Sequence, residues 1–456
     1  MVKQNVILIF DVGKTNKKLF LFDEQYKLVY EESQKFEEIK DEDGFPCENI
    51  DALGKWIWQK FGDVSVLEDF NVLGVNFSAY GASFVHLDNY RKLLTPLYNY
   101  LKPFPEKLKE QFYKTYGGET LIAKQTASPV LGNLNSGLQL YRLKYEQPQV
   151  YEKIKYSLHL PQYLSFIISS GATSEITSIG CHTQLWDFRK NKYHNWVYAE
   201  KIRTKFPPIR RSDKIVTVVN NGRRIPIGIG LHDSSAALIP YLAAFSEPFI
   251  LLSTGTWCIS LNPFNHALLS DDELRRDCLC YLSYQGRPVK ASRLFAGYEH
   301  EQQVKRLGEY FNTAKDRYKT VKYNRLLAKK LQGFHASEIH GNTTAMVQQS
   351  TFEQCDLSRF ETYEEAYHQL MLDIVLQQVQ STKIVLNGTG VKRIFVDGGF
   401  SNNAVYMNLL ANSFPGIEIF AADIPQASSL GAAVAIHEHW NQNPLPGDLI
   451  RLKHFK

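Results

Sequence analysis

Four short stretches of this 456-residue chain hold residues whose types and spacing could do chemistry. The first is Asp11-Val-Gly13-Lys14-Thr15, set between the apolar runs Val6–Phe10 and Leu19–Phe22. Gly-Lys-Thr is also the end of a P-loop, but that motif needs a glycine five residues ahead of the Gly-Lys pair, where Leu8 stands, and a helix after it. Both flanks read as strands, so the stretch predicts a strand, a tight turn and a strand. A turn whose backbone N–H groups converge can still cradle phosphate. The second stretch, Ser253-Thr-Gly255-Thr256-Trp257, repeats the pattern in the other half of the chain, between Phe249–Leu252 and Cys258–Leu261. The third is His232-Asp233, after the extended run Ile225–Gly230 and before a helix beginning at Ser234. The fourth is Gly398-Gly399, between a strand Arg393–Asp397 and a helix Asn402–Asn412.

Two strand–turn–strand units with polar tips make a weak internal repeat, and facing each other they could hold one polyphosphate. The elements around them alternate strand and helix, which argues α/β layers in each half. Val72–Phe77 reads as a buried strand running into the turn Ser78–Gly81, Pro161–Ser169 as an apolar helix, and Tyr363–Val385 as a long amphipathic helix. Ser429–Ile436 is the last predicted helix, its small residues Gly431 and Ala432 suited to close packing. The tail from Asn441 to Lys456 reads as an irregular surface segment. Lys17 reads as a solvated strand lysine, Lys305–Lys330 as a solvated helix face, and Trp257 as core.

Bulk properties exclude several classes. A net charge of +5 is spread along the chain without a basic cluster, which argues against nucleic acid. Hydrophobic content of 44% and charged content of 22% are ordinary for a globular protein, and no apolar run is long enough to span a membrane. Six cysteines without paired zinc spacing fit a reducing, cytoplasmic setting, with Cys278-Leu-Cys280 structural. GxGxxG is absent, against a Rossmann oxidoreductase.

Taken in order, these stretches resemble the FGGY carbohydrate kinases. His232-Asp233 before Ser-Ser-Ala, Gly255-Thr256-Trp257 and Ser136-Gly-Leu-Gln-Leu140 are similar to motifs of the rhamnulokinase and fuculokinase branch. The resemblance implies an α/β, two-lobed, duplicated ribonuclease H-like fold of the actin, heat-shock ATPase and sugar kinase kind, with a central cleft. Lobe one is expected over 1–244 and lobe two over 245–456. It also implies ATP and Mg2+ as cofactors and a small sugar as substrate, and it allows a homodimer. The implied reaction is transfer of the γ-phosphoryl group to a primary hydroxyl of a ketose or deoxyketose. Kinases of xylulose, ribulose or glycerol are the near alternatives. An actin- or chaperone-like ATP switch is the distant one, and turnover without sugar would reveal it.

Roles follow residue by residue from the resemblance. Asp233 would take the proton of the sugar hydroxyl, with helix capping its competing role. His232 and the loop Ala79-Tyr80-Gly81 would contact the sugar. Asp11 would hold magnesium through water. Gly13, Lys14, Thr15 and Lys18 would meet the phosphates from lobe one, and Gly255 and Thr256 from lobe two. Gly398 and Gly399 would let the adenosine end approach the backbone, flanked by Asn402 and Asn403, which could instead cap the following helix. The sequence departs from the family at Lys14, Lys18, Phe400 and Gln426, and at Tyr98-Asn-Tyr100, where an arginine-containing motif is expected. Those departures leave the sugar open.

Overall fold

A computed structural model describes residues 3–65, 67–338, 352–424 and 426–456. Two seven-stranded sheets dominate it. In the first, β1 (Gln4–Val12), β2 (Lys17–Asp23), β3 (Leu28–Gln34), β4 (Phe70–Ala79), β5 (Ile215–Asn220) and β6 (Arg223–Gly228) lie in the order β5-β6-β4-β1-β2-β3, with β7 (Leu231–His232) added beside β4. The second contains β8 (Phe249–Thr254), β9 (Cys258–Asn262), β10 (Cys278–Leu282), β11 (Pro288–Leu294), β12 (Arg393–Gly398), β13 (Glu418–Asp423) and β14 (Arg451–Phe455), in the order β10-β11-β9-β8-β12-β13-β14.

The duplication expected from the two hairpins is present in the pairing. Strand β1 runs antiparallel to β2, closing at Val12 opposite Lys17, and parallel to β4, with Asp11 opposite Ser78. Strand β8 runs antiparallel to β9, closing at Thr254 opposite Cys258, and parallel to β12, with Ser253 opposite Asp397. Both central strands are apolar on both faces because both faces are covered. Leu8, Phe10, Leu19 and Leu21 pack with α1 (Ile50–Ser65) and α2 (Leu160–Ser169), while Ile7, Ile9, Phe20 and Phe22 face another core.

That core and a neighbouring one join the lobes. Helix α3 (Asp233–Ala244) leaves the first sheet and buries Leu238 and Tyr241 among Phe249, Leu251 and Phe395 of the second. Near the end of the chain, α7 (Ala427–Ala435) follows α4 (Ala296–Tyr310), α5 (Tyr363–Leu386) and α6 (Ala404–Ser413), and it returns to pack Leu430 and Ala433 on Ile7 and Ile9. The two helices cross so closely that a Cβ on Gly431 would lie 1.9 Å from the Ala236 carbonyl oxygen. Each lobe's closing helix is therefore shared with the other lobe.

Three local expectations are corrected. The tail is not irregular throughout: Arg451–Phe455 forms the edge strand β14 against β13. Helix α5 is buried around most of its circumference, with Tyr367, Leu370, Met371 and Ile374 inside, because it lies between the second sheet and α4 and α6. Helix α6 starts at Ala404, not Asn402, after a 3-10 turn over Gly399–Asn402. All six cysteines are free thiols, with Cys278 and Cys280 buried in β10. No helix among the described residues is long and apolar enough to cross a membrane.

Candidate active site

The first hairpin tip is closed by Gly13 N–H donating to Asn16 O at 3.0 Å, and Thr15 lies exposed at its end. Lys14 Nζ reaches Glu38 at 3.1 Å and stands 5.9 Å from the centre of the Tyr80 ring. Lys18 lies opposite Asp11 in the β1–β2 register, and its ammonium is held by Glu31 at 3.0 Å. Lys17 is not solvated: it is 2% exposed and donates to Glu48 Oε2 at 2.8 Å and to Lys14 O at 3.1 Å. The alternation of β2 turns it into the core side, where the buried Glu48 offsets its charge.

The second tip is closed by Gly255 N–H donating to Trp257 O at 2.9 Å, with Thr256 exposed. Thr254 Oγ1 donates to Asp397 O and accepts from Phe400 N–H at 3.0 Å, which fastens the Gly398–Asn402 turn to the end of β8. Gly398 has φ +79°, and a Cβ there would lie 1.9 Å from Thr254 O, so only glycine fits. Trp257 is not core. It is 39% exposed, its ring centre 4.4 Å from that of Phe295 and tilted to it, because three residues of turn give it no interior to enter.

A cavity of about 1060 Å³ opens beside this tip, lined by Gly255, Gly399, Asn402 and Asn403. Lys305, Lys315 and Lys319 line it too, so the supposed solvated face in part faces this space. Asn403 has little left to offer a ligand. Its Oδ1 caps α6 by accepting from Val405 and Tyr406 N–H at 3.0 and 3.1 Å, and its Nδ2 donates to Tyr367 OH at 2.6 Å. Asn402 stays exposed. A second cavity, of about 520 Å³, shares Gly399 and Asn402 with the first and adds Gly398, Asp233, Asp397 and Ser428. The glycine turn is the common wall.

Asp233 is the first residue of α3, one past the cap position, which His232 occupies. Its Oδ1 accepts from Ser234 N–H at 2.6 Å, and burial raises its pKa to about 6. His232 Nε2 lies 3.2 Å from Asp233 Oδ1 and 3.1 Å from Cys181 Sγ. His232 pairs in register with Ala79, and a Cβ on Gly81 would lie 3.0 Å from its ring, so the loop 79–81 and the His-Asp pair form one wall. Tyr80 is turned inward instead, its hydroxyl donating to Glu48 Oε2 at 3.4 Å. Tyr100 packs edge-on to Tyr80, and burial together with the Asp233 charge raises its phenol pKa.

Asp11 belongs to the same crevice. Burial raises its pKa, and the neighbouring charge of Asp233 adds to the rise. Its Oδ2 accepts from Ser428 Oγ at 2.6 Å and Ser429 Oγ at 2.8 Å. Neither serine stands out in the sequence, where the start of α7 reads only as small-residue packing. Among the described residues no three His, Cys, Asp or Glu side chains converge as a metal site. Two desolvated carboxylates beside phosphate-sized turns fit a cation that brings most of its own ligands as water and phosphate oxygen.

Comparison with known proteins agrees with this architecture. Residues 6–240 match the profile described as FGGY family of carbohydrate kinases, N-terminal domain, and residues 246–444 the profile described as Carbohydrate kinase FGGY, C-terminal domain. Rhamnulokinase of Halalkalibacterium halodurans is 26% identical over 191 residues, 40% of this chain and 40% of the relative. L-fuculokinase of Escherichia coli strain K12 is 25% identical over 279 residues, 56% of each. The chain thus aligns with about half the length of these curated relatives. The crystal structure of a carbohydrate kinase from Novosphingobium aromaticivorans superposes with a TM-score of 0.80 at 21% identity, covering 100% of this chain and 95% of that one, and so shares the fold. With both lobes matched and both hairpins in place, the chain belongs to the FGGY family of carbohydrate kinases.

Proposed function

We propose that the protein transfers the γ-phosphoryl group of ATP to a primary hydroxyl of a ketose or deoxyketose of the L-rhamnulose or L-fuculose kind. Residues 1–244 supply the acceptor wall and the first phosphate turn, and residues 245–456 the nucleotide site. The observation that carries this reading is the second cavity, where Asp233 faces the Gly398–Asn402 turn across one space. A nucleotide lying along the larger cavity would cross that turn and point its terminal phosphate at Asp233.

The chain's own groups then act as follows. Lys14 and Thr15 on one side and Thr256 on the other grip the phosphates through backbone N–H groups and hydroxyls, while Gly13 and Gly255, whose own N–H groups close the turns, let the phosphates approach the backbone. Asp11, with Asp233 beside it, is placed to hold Mg2+ through water, and the ion when bound neutralises charge on the phosphates. Gly399 and Asn402 border the nucleoside end. Asp233 accepts the hydroxyl proton as the oxygen attacks phosphorus, and His232, 3.2 Å away, holds the carboxylate in place. Closure of the crevice would exclude water and favour transfer to sugar over hydrolysis. Tyr80, directed at Glu48 rather than into the crevice, favours a wider acceptor panel that includes xylulose, ribulose and glycerol.

The test is ADP release with Mg2+ and ATP across L-rhamnulose, L-fuculose, D-xylulose, L-ribulose and glycerol. Turnover that depends on one of these supports the reading. Equal turnover without any acceptor overturns it in favour of an ATP-driven switch.

A further inference from the structure

The segment Ser136-Gly-Leu-Gln-Leu140 has no part in the reaction above, yet its contacts lead to the acceptor wall. Asn135 Nδ2 donates to His182 O at 2.8 Å, and Gly137 N–H donates to Thr183 O at 3.0 Å. A Cβ on Gly137 would lie 2.7 Å from that Thr183 oxygen, so glycine is needed for the approach. The clamped strip is strained: His182 has φ +39° and Gln184 φ +58°, both in the left-handed region. Such backbone is costly for a residue with a side chain and persists only where the surroundings enforce it, which is common at binding sites.

The strain fixes one imidazole. His182 Nδ1 lies 3.0 Å from Leu134 O. A carbonyl only accepts, so the proton is on Nδ1 and Nε2 carries a lone pair. The ring lies 6.5 Å from that of His232, which touches Asp233, and 6.0 Å from that of Tyr281 in the other lobe. Among the described residues no protein group donates to Nε2. Burial and the nearby Arg293 charge push the pKa of His182 to about 3, so the ring is neutral at ordinary pH.

We propose that His182 is a binding residue of the acceptor site, its Nε2 accepting a hydrogen bond from a hydroxyl of a neutral sugar seated beside Asp233. This rests on the kinase reading and narrows its substrate class. The nearest cation, Arg293, is held by Asp277 through two hydrogen bonds of 2.7 and 3.1 Å, so it is not free to pair with a substrate carboxylate. The anionic Asp233 and the lone pair of His182 both disfavour an acidic sugar. The site therefore takes neutral polyhydroxy acceptors and excludes aldonates.

The experiment compares wild type, His182→Asn and His182→Gln on the same acceptor panel with D-gluconate added. Asparagine tolerates left-handed backbone and can still donate to Leu134 O, but it lacks Nε2. The expected result for His182→Asn is a rise of about tenfold or more in the KM of the neutral sugar, with the KM of ATP and the melting temperature unchanged. The melting shift induced by that sugar should shrink in parallel. His182→Gln, whose amide oxygen can reach toward the Nε2 position, should recover part of the loss, and His182→Ala stands in for the Asn variant if that protein does not fold. An unchanged sugar KM in folded His182→Asn or His182→Ala overturns the proposal, as does an equal rise for ATP. Preference for D-gluconate overturns it while leaving the kinase reading standing. Should no acceptor be phosphorylated, the kinase reading fails. Sugar-induced melting shifts then decide alone: present in wild type and absent in the variant upholds His182, absent in both overturns it.

Discussion

Asp11 and Ser428 stand 417 residues apart in sequence and are joined by a 2.6 Å hydrogen bond, with Ser429 adding a second at 2.8 Å to the same oxygen. The last core helix thus orients the carboxylate of the first strand. Both donors meet Oδ2, which fixes the carboxylate in one orientation. Hydrogen bonds to a charged group contribute about 1.5–3 kcal/mol each. Ser428→Ala combined with Ser429→Ala should therefore raise the Mg2+ concentration for half-maximal rate by about tenfold or more, while the rate at saturating Mg2+ falls much less. Initial rates against Mg2+ at fixed ATP check this, and an unchanged Mg2+ requirement refutes it.

Asp233→Asn should lower turnover by about two to four orders of magnitude while sparing ATP affinity. The wild-type pH profile tests the same assignment. A base acts when deprotonated, and burial raises this one to about 6. Turnover should fall about tenfold per unit below that value and level off above it. A variant with near-normal turnover, or a profile flat down to pH 5, contradicts the assignment.

The legible part of this structure was what neighbours in sequence decide. Gly13 and Gly255 announce tight turns because apolar runs flank them, and His232-Asp233 marks the passage from strand to helix. What stayed hidden depends on partners far along the chain. Lys17 reads as solvated until Glu48 arrives beside it from the segment before α1. Arg451–Phe455 has too little alternation to predict a strand and becomes one by pairing with β13. Ser428 looks like filler until α7 is laid across β1. The sequence leaves Asn403 two roles, and the structure uses its amide oxygen to cap α6.

The two glycines of the turn differ in what they tolerate. A Cβ on Gly398 collides with Thr254 O at 1.9 Å, whereas one on Gly399 meets that oxygen only at 4.0 Å. Gly398→Ala should therefore reduce stability by about 1–3 kcal/mol or more. Gly399→Val should fold normally and weaken ATP more than sugar, because its side chain enters both cavities. Melting curves and separate KM values distinguish the two. Weakened sugar binding with intact ATP binding in Gly399→Val would mean that the nucleotide lies elsewhere.

Asp397 is 4% exposed, its Oδ1 has no hydrogen-bond partner, and burial raises its pKa from 3.8 to about 6. Its folded state therefore binds the proton more tightly than the unfolded state. That makes stability fall as pH rises from about 4 to about 6, and the penalty stays constant above. Asp397→Asn removes the penalty, so the variant should gain about 1–3 kcal/mol over wild type at pH 7.5 and nothing near pH 4. Thermal unfolding at both pH values checks the sign. A loss at pH 7.5 would show that the carboxylate stabilises the fold as an anion.

Lys17 and Glu48 are 2% and 3% exposed and meet at 2.8 Å, and each holds something else in place. Lys17 also donates to the Lys14 carbonyl in the first phosphate turn, and Glu48 also accepts from Tyr80 in the acceptor loop. Removing one partner of a buried pair strands the other charge and costs about 3–5 kcal/mol, whereas removing both costs far less. Lys17→Met and Glu48→Gln should each destabilise strongly, and the double variant should recover most of the loss, so that the losses in a double-mutant cycle are far from additive. Stability and ligand binding part company in the double variant. Its fold no longer contains a stranded charge, but the phosphate turn has lost its ammonium strap and Tyr80 its ionised acceptor. The double variant should therefore melt near wild type and still show a raised KM for ATP. Additive losses in stability would mean that the two residues do not act as a pair, and a wild-type KM in the stable double variant would mean that the turn keeps its shape without them.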